Sequence, residues 1–149
     1  MDKDMYKKIC AILLAVLCAG TSASAYIGQA EVNINGERQA ETIYVEQIDG
    51  TTLVPIRPIF EKFNFNIQWD QKRKRIESIN KLGKCIIQVG APVVALYKDL
   101  RNYEPYVLDT YVRITNNQTM IPMDFAAKCT GTTINFDEEA NILDIYAAN

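Results

Sequence analysis

The sequence predicts an α+β fold built on an internally duplicated unit of β-hairpin, short helix and β-hairpin, giving mainly antiparallel sheet with two short helices. Three observations predict it. Slid along itself at an offset of 67, the chain matches without gaps between residues 44–79 and 111–146. Each of these segments places turn residues between two β-rich runs, and each then has a proline opening an apolar stretch at helical spacing.

Six positions are identical at that offset: Tyr44 with Tyr111, Val45 with Val112, Thr52 with Thr119, Pro55 with Pro122, Ile67 with Ile134 and Asp70 with Asp137. The substitutions between them keep physical character. Leu53 becomes Met120, Val54 becomes Ile121, Trp69 becomes Phe136 and Ile76 becomes Leu143.

In the first unit, Asp49-Gly50 separates the run Ile43 to Ile48 from Thr52 to Val54, a strong hairpin signal; the second uses Asn116-Asn117. Pro55 suits a helix start, where its missing N–H costs nothing. Ile56, Ile59, Phe60 and Phe63 then form one apolar stripe. Asn64 and Gly131 align at the helix ends, and both residue types tolerate the left-handed conformation that closes a helix. Phe65, Ile67 and Trp69 alternate with polar residues, as do Thr132, Ile134 and Phe136. Both read as half-buried strands, followed by turns at Asp70 and Asp137 and by return strands at Arg75 to Ile79 and Ile142 to Tyr146. A further hairpin is expected around Val32 to Gly36, and further strands at Lys84 to Val89 and Val93 to Tyr97. Tyr103 to Tyr106 reads as loop. The two helices, starting at Pro55 and Pro122, are expected to pack on one antiparallel sheet.

Lys3, Lys7 and Lys8 precede an apolar run from Ile9 to Ala19, and Thr-Ser-Ala-Ser-Ala follows. This is the pattern of a secretory signal peptide, residues 1–25, with cleavage before Tyr26. The run is too short to span a bilayer, which takes about 20 apolar residues, so no membrane span is expected after cleavage. The remaining residues 26–149 suit a single domain, with 13 basic and 16 acidic side chains. That mildly acidic balance argues against nucleic acid as a partner. Cys85 and Cys129 are the only cysteines left after cleavage.

The first unit reads TTLVPIRPIFEKFNFNIQWD and the second QTMIPMDFAAKCTGTTINFD. With Pro55, Arg57, Glu61, Trp69 and Asp70 in the first, and Pro122, Gly131 and Asp137 in the second, the chain resembles the copper amine oxidase N-terminal-like domain of secreted bacterial proteins. The second unit departs from the pattern where Asp124 replaces the arginine and Lys128 the glutamate. The resemblance implies a secreted, non-catalytic accessory domain. In amine oxidases, copper and the quinone belong to a separate and larger catalytic domain.

The chain has no histidine, which removes the commonest general base and metal ligand. Neither a catalytic centre nor a metal or cofactor site is expected. Arg57 and Glu61 stand four apart on the first helix and suit a surface ion pair. The alternative is an arginine that grips a ligand. Asp124 and Lys128 repeat the spacing with the signs reversed, which favours the pair. Lys72, Arg73, Lys74 and Arg75 form the one dense basic run, at a turn where solvated charge is ordinary; the functional alternative is contact with an anionic envelope polymer. Trp69 shares a strand face with Phe65 and Ile67, which favours core packing over a sugar-stacking platform.

At the offset of 67, the inward residues of the first helix map onto Met123, Ala126, Ala127 and Thr130, whereas Pro58 and Lys62 map onto Phe125 and Cys129. Phe125 and Cys129 are thus expected to face outward. They would form a partner or homodimer surface unless the tyrosine-rich segment 98–109 covers them. Cys85 reads as a core residue, so no bridge to Cys129 is expected. The function that fits is a secreted, non-catalytic accessory or binding module of the bacterial cell envelope or exoproteome, its partner an envelope polymer or a protein. The alternative is a carboxylate-dependent extracellular hydrolase of glycosidase type using Asp70, Asp137 and Glu61.

Overall fold

Three tight turns set the hairpins. Asn35-Gly36, Asp49-Gly50 and Asn116-Asn117 each place two successive residues at positive φ, the requirement of a type I′ turn. The structure, a computed structural model, describes residues 27–98 and 101–148. The expected signal peptide, 1–25, lies outside the described residues.

The strands are β1 (Ile27–Ile34), β2 (Glu37–Ile48), β3 (Thr51–Pro55), β4 (Asn66–Asp70), β5 (Arg75–Asn80), β6 (Gly83–Gln88) and β7 (Val93–Lys98). They continue with β8 (Asn102–Val107), β9 (Arg113–Thr115), β10 (Gln118–Pro122), β11 (Thr132–Asp137) and β12 (Ile142–Ala147). Helix α1 (Ile56–Phe60) runs into a 3₁₀ turn (Glu61–Phe63), and α2 spans Met123–Thr130. The protein is therefore mostly strand, with two short helices.

Both helices start as expected, from Pro55 and Pro122 in extended conformation. Both close on a left-handed residue, Asn64 at φ 61° and Gly131 at φ 66°.

The strands form two sheets where one was expected. A seven-stranded sheet runs β11-β12-β1-β2-β3-β10-β9, and a five-stranded sheet runs β4-β5-β6-β7-β8. Every pairing is antiparallel except β1 with β12, in which Glu31 to Ile34 lie beside Ile142 to Ile145. The reason for two sheets is local. After β5, Asn80 Oδ1 accepts the backbone N–H groups of Leu82 (2.8 Å) and Gly83 (3.1 Å), turning the chain straight into β6. The first unit's second hairpin thus begins a meander of its own. The second unit's hairpin, β11–β12, joins β1 in the larger sheet.

Segment 103–106, expected as loop, is strand. β8 lies at the edge of the smaller sheet and pairs only with β7. Pro105, which lacks an N–H, is tolerated in an edge strand.

The core lies between these layers. Val45, Val54, Ile121, Leu143 and Ile145 of the larger sheet join Ile76, Cys85, Ile87 and Val94 of the smaller, with Ile59, Phe60, Phe125 and Ala126 from the helices. Helix α2 touches β3, β10 and β11 on one side and β6 on the other, so it joins the two sheets. Phe60 and Phe125 are both fully buried, each contributing about 1.5–3 kcal/mol relative to exposure.

Candidate functional site

Strand β3 passes into α1 at Pro55, so Arg57 falls on the first helical turn and points outward. Its Nη1 donates to Glu61 Oε1 at 2.8 Å, the expected i,i+4 pair. Both side chains are more than half exposed, so the pair adds only a few tenths of a kcal/mol. Opposite lies Trp69 of β4. The sequence favoured a core position, but the side chain is 39% exposed. β4 is an edge strand, and Ile67 packs against the core whereas Trp69, two residues on, does not. Phe65, just before it, is buried against Phe60 with ring centroids 5.1 Å apart, while Trp69 has run past that cover. Trp69 Nε1 donates to Gln71 Oε1 at 2.7 Å, which fixes the indole.

The turn between β9 and β10 closes the third side. Pro55, Arg57, Pro58, Ile67 and Trp69 face Asn117, Gln118 and Thr119 across a cavity of about 370 Å³. An adjoining depression of about 550 Å³ shares Arg57, Trp69, Asn117 and Thr119, and extends to Gln71, Lys74 and Ile114. Together they make one groove with an aromatic face, neutral amides and hydroxyls, and two cations. No acidic residue lines either part.

The equivalent position on the second unit is different. Gly50, Thr51 and Thr52 face Pro122, Met123 and Asp124 across a smaller cavity of about 120 Å³, with Asp109 at its rim. At the offset of 67 these residues are the counterparts of Asn117 to Thr119 and of Pro55 to Arg57. The counterpart lacks the aromatic and has carboxylates where the larger groove has an arginine.

The basic run divides. Asp70 Oδ1 accepts the Arg73 backbone N–H and Oδ2 accepts Arg73 Nη1, both at 2.9 Å. These bonds, the backbone one foremost, hold the Asp70 carboxyl below its ordinary range. Arg75 pairs with Glu77, Lys72 is exposed, and Lys74 alone of the four reaches the groove. Asp137 likewise serves a turn, accepting the Ala140 N–H at 2.9 Å. Pro122 and Gly131 are the entry and exit of α2 and lie outside the larger groove.

Phe125 and Cys129 do not form the expected outward surface. Phe125 is fully buried, its ring 5.2 Å from that of Tyr106. Cys129 Sγ lies 2.6 Å from Cys85 Sγ. Strands β6 and β8, built from the segment between the two units, cover this face of α2, while α1 has no matching cover over Pro58 and Lys62. Burial, and then the neighbouring Cys85, push the Cys129 thiol well above its usual range. Nor does Lys128 pair with Asp124. Its Nζ donates to Glu104 Oε1 at 2.8 Å and sits 5.0 Å above the Tyr106 ring.

In the sequence, Asn117, Gln118 and Thr119 read as turn and strand residues and not as part of a binding site. The offset carried the needed signal. Once β3 pairs with β10, each unit's turn must lie beside the other unit's helix start.

The chain's donor set does not suit copper. It contains no histidine, and among the described residues no three Cys, Asp or Glu side chains converge.

The chain is 25% identical over 135 residues to a protein of Brevibacillus choshinensis named protease inhibitor, an alignment that takes in 86% of this chain. It spans only 39% of that relative's length. Residues 33–145, from β1 through most of β12 and so including every residue of the groove, match the family described as copper amine oxidase N-terminal domain. The chain belongs to that family.

Proposed function

We propose that this protein is a secreted, non-catalytic binding module that holds an anionic saccharide polymer of the bacterial envelope in the Arg57–Trp69 groove. The observation that carries the reading is Trp69, held by Gln71 with its indole exposed between Arg57 and Lys74. An aromatic face suits the apolar face of a sugar ring, and Asn117, Gln118 and Thr119 suit its hydroxyls. The two cations suit carboxylate or phosphate groups on the polymer. Family membership and the signal-peptide pattern support an accessory, exported role. The hydrolase alternative finds little support. Asp70 and Asp137 hold turns, Glu61 pairs with Arg57, and none of the three lines the groove.

Because Trp69 is the chain's one tryptophan, its fluorescence reports on the groove directly. Titrating the chain beginning at Tyr26 with purified peptidoglycan and with its anionic wall polysaccharide should shift the emission. Retention should weaken with salt, and Trp69→Ala should lower affinity about ten-fold, or 1.4 kcal/mol. Release of new reducing ends would establish the hydrolase instead.

A second reading has its own support, the protease inhibitor name of the relative. In that case the groove region would seat a segment of a protease. Inhibition of a secreted protease, with no fluorescence response to either polymer, would replace the saccharide reading.

A further inference from the structure

We infer that Cys85 and Cys129 close into an intramolecular disulfide that clamps α2 onto the smaller sheet. The two residues come from opposite sides of the core, Cys85 from the middle of β6 and Cys129 from the last turn of α2. They are the only cysteines among the described residues. Their sulfurs are 2.6 Å apart, so closing to a covalent S–S length of about 2.05 Å needs little displacement. The packing around the pair already favours that approach. The neighbouring Phe125–Tyr106 and Lys128–Glu104 contacts hold the same face of α2 against β8.

The chemistry requires an external oxidant, here a disulfide donor of the thiol–disulfide exchange class. The Cys129 thiolate attacks the donor's disulfide, forming a mixed disulfide and releasing one donor thiolate. The Cys85 thiolate then attacks the Cys129 sulfur and expels the second donor thiolate. Two thiols lose two protons and two electrons, and the donor disulfide is reduced to two thiols. Cys129 is the more accessible of the two, since Cys85 is only 1% exposed. Burial disfavours the Cys129 thiolate in the finished fold, so exchange belongs to the stage at which α2 has not yet docked. Once formed, the bond is covered by the packing that aligned it.

Refolding the reduced chain beginning at Tyr26 with oxidised and reduced glutathione tests this by mass and by alkylation. The expected product is a monomer 2 Da lighter than the dithiol, with no alkylation until denaturant and reductant are both added. Its midpoint should lie roughly 5–15 °C above that of the reduced protein. Cys85→Ala/Cys129→Ala should melt near the reduced protein and show no change on adding reductant. A folded monomer with two alkylatable thiols after refolding overturns the inference, as does a Cys129-linked dimer or a stable glutathione adduct.

Discussion

Val54 and Ile121 stand directly opposite one another in the β3–β10 pairing, and each is the residue the other maps onto at the offset of 67. The flanking pairs, Leu53 with Pro122 and Pro55 with Met120, exchange places about that centre. The two segments are thus related locally by a two-fold axis. Because the axis passes between them, the β9–β10 turn walls the start of α1 and the β2–β3 turn walls the start of α2.

Both central residues are fully buried. Ile121→Ala should cost about 2–5 kcal/mol and Val54→Ala about 2 kcal/mol. Since the side chains meet at one point, the double variant should depart from additivity by more than about 0.5 kcal/mol. Urea denaturation of the four proteins measures this, and strict additivity would show that the contact carries no coupling.

Trp69→Ala should leave stability within about 1 kcal/mol of the parent, since the ring is not part of the core. Phe60→Ala, by contrast, removes a fully buried ring and should cost about 3–5 kcal/mol. Thermal melts of the two variants compare them directly. A large loss at Trp69 would return it to a structural role.

A Cβ on Gly83 would sit 2.4 Å from the backbone oxygen of Tyr97. That oxygen belongs to β7 and cannot swing away as a side-chain tip would. Gly83→Ala should therefore pry apart the start of β6 and the end of β7, raising hydrogen exchange in both while leaving the larger sheet protected. Uniform exchange across the two sheets would contradict this.

Glu77 accepts from Lys84 and Arg75, and these partners, Lys84 foremost, lower its pKa in the fold. A carboxylate with a lowered folded pKa contributes stability that is complete above its unfolded value, about 4.3, and is lost as pH falls through the folded value. Melting temperature should drop between pH 5 and pH 3, and Glu77→Gln should reduce the size of that drop. An unchanged pH profile in the variant would place the acid sensitivity elsewhere.

The local elements were legible because their signals are local. Asp49-Gly50 and Asn116-Asn117 declare their turns, Pro55 and Pro122 their helix starts, and Asn64 and Gly131 their helix ends. Arg57 with Glu61 was legible for the same reason. What periodicity does not encode is which neighbour a strand finds. Trp69 alternates correctly with Gln68, yet its exposure depends on how far β4 runs beyond Phe60. Phe125 reads as outward on its helix, and only the docking of β6 and β8 makes that face interior. The groove was hidden for a related reason, since Asn117 to Thr119 reach Arg57 only through the exchange of partners across Val54 and Ile121.

The parallel contact of β1 with β12 brings together residues as distant as Asn33 and Asp144, whose side chains bond at 2.8 Å across a separation of 111 positions. β11 has no sheet neighbour except β12, and β1 has only β2 until β12 arrives. The larger sheet is therefore completed by one of its last segments to be synthesised, after a long loop closure of the kind that slows folding. As the chain emerges from its N-terminus, its first strand is held along one edge only, by β2, until residues 142–147 follow and close the other.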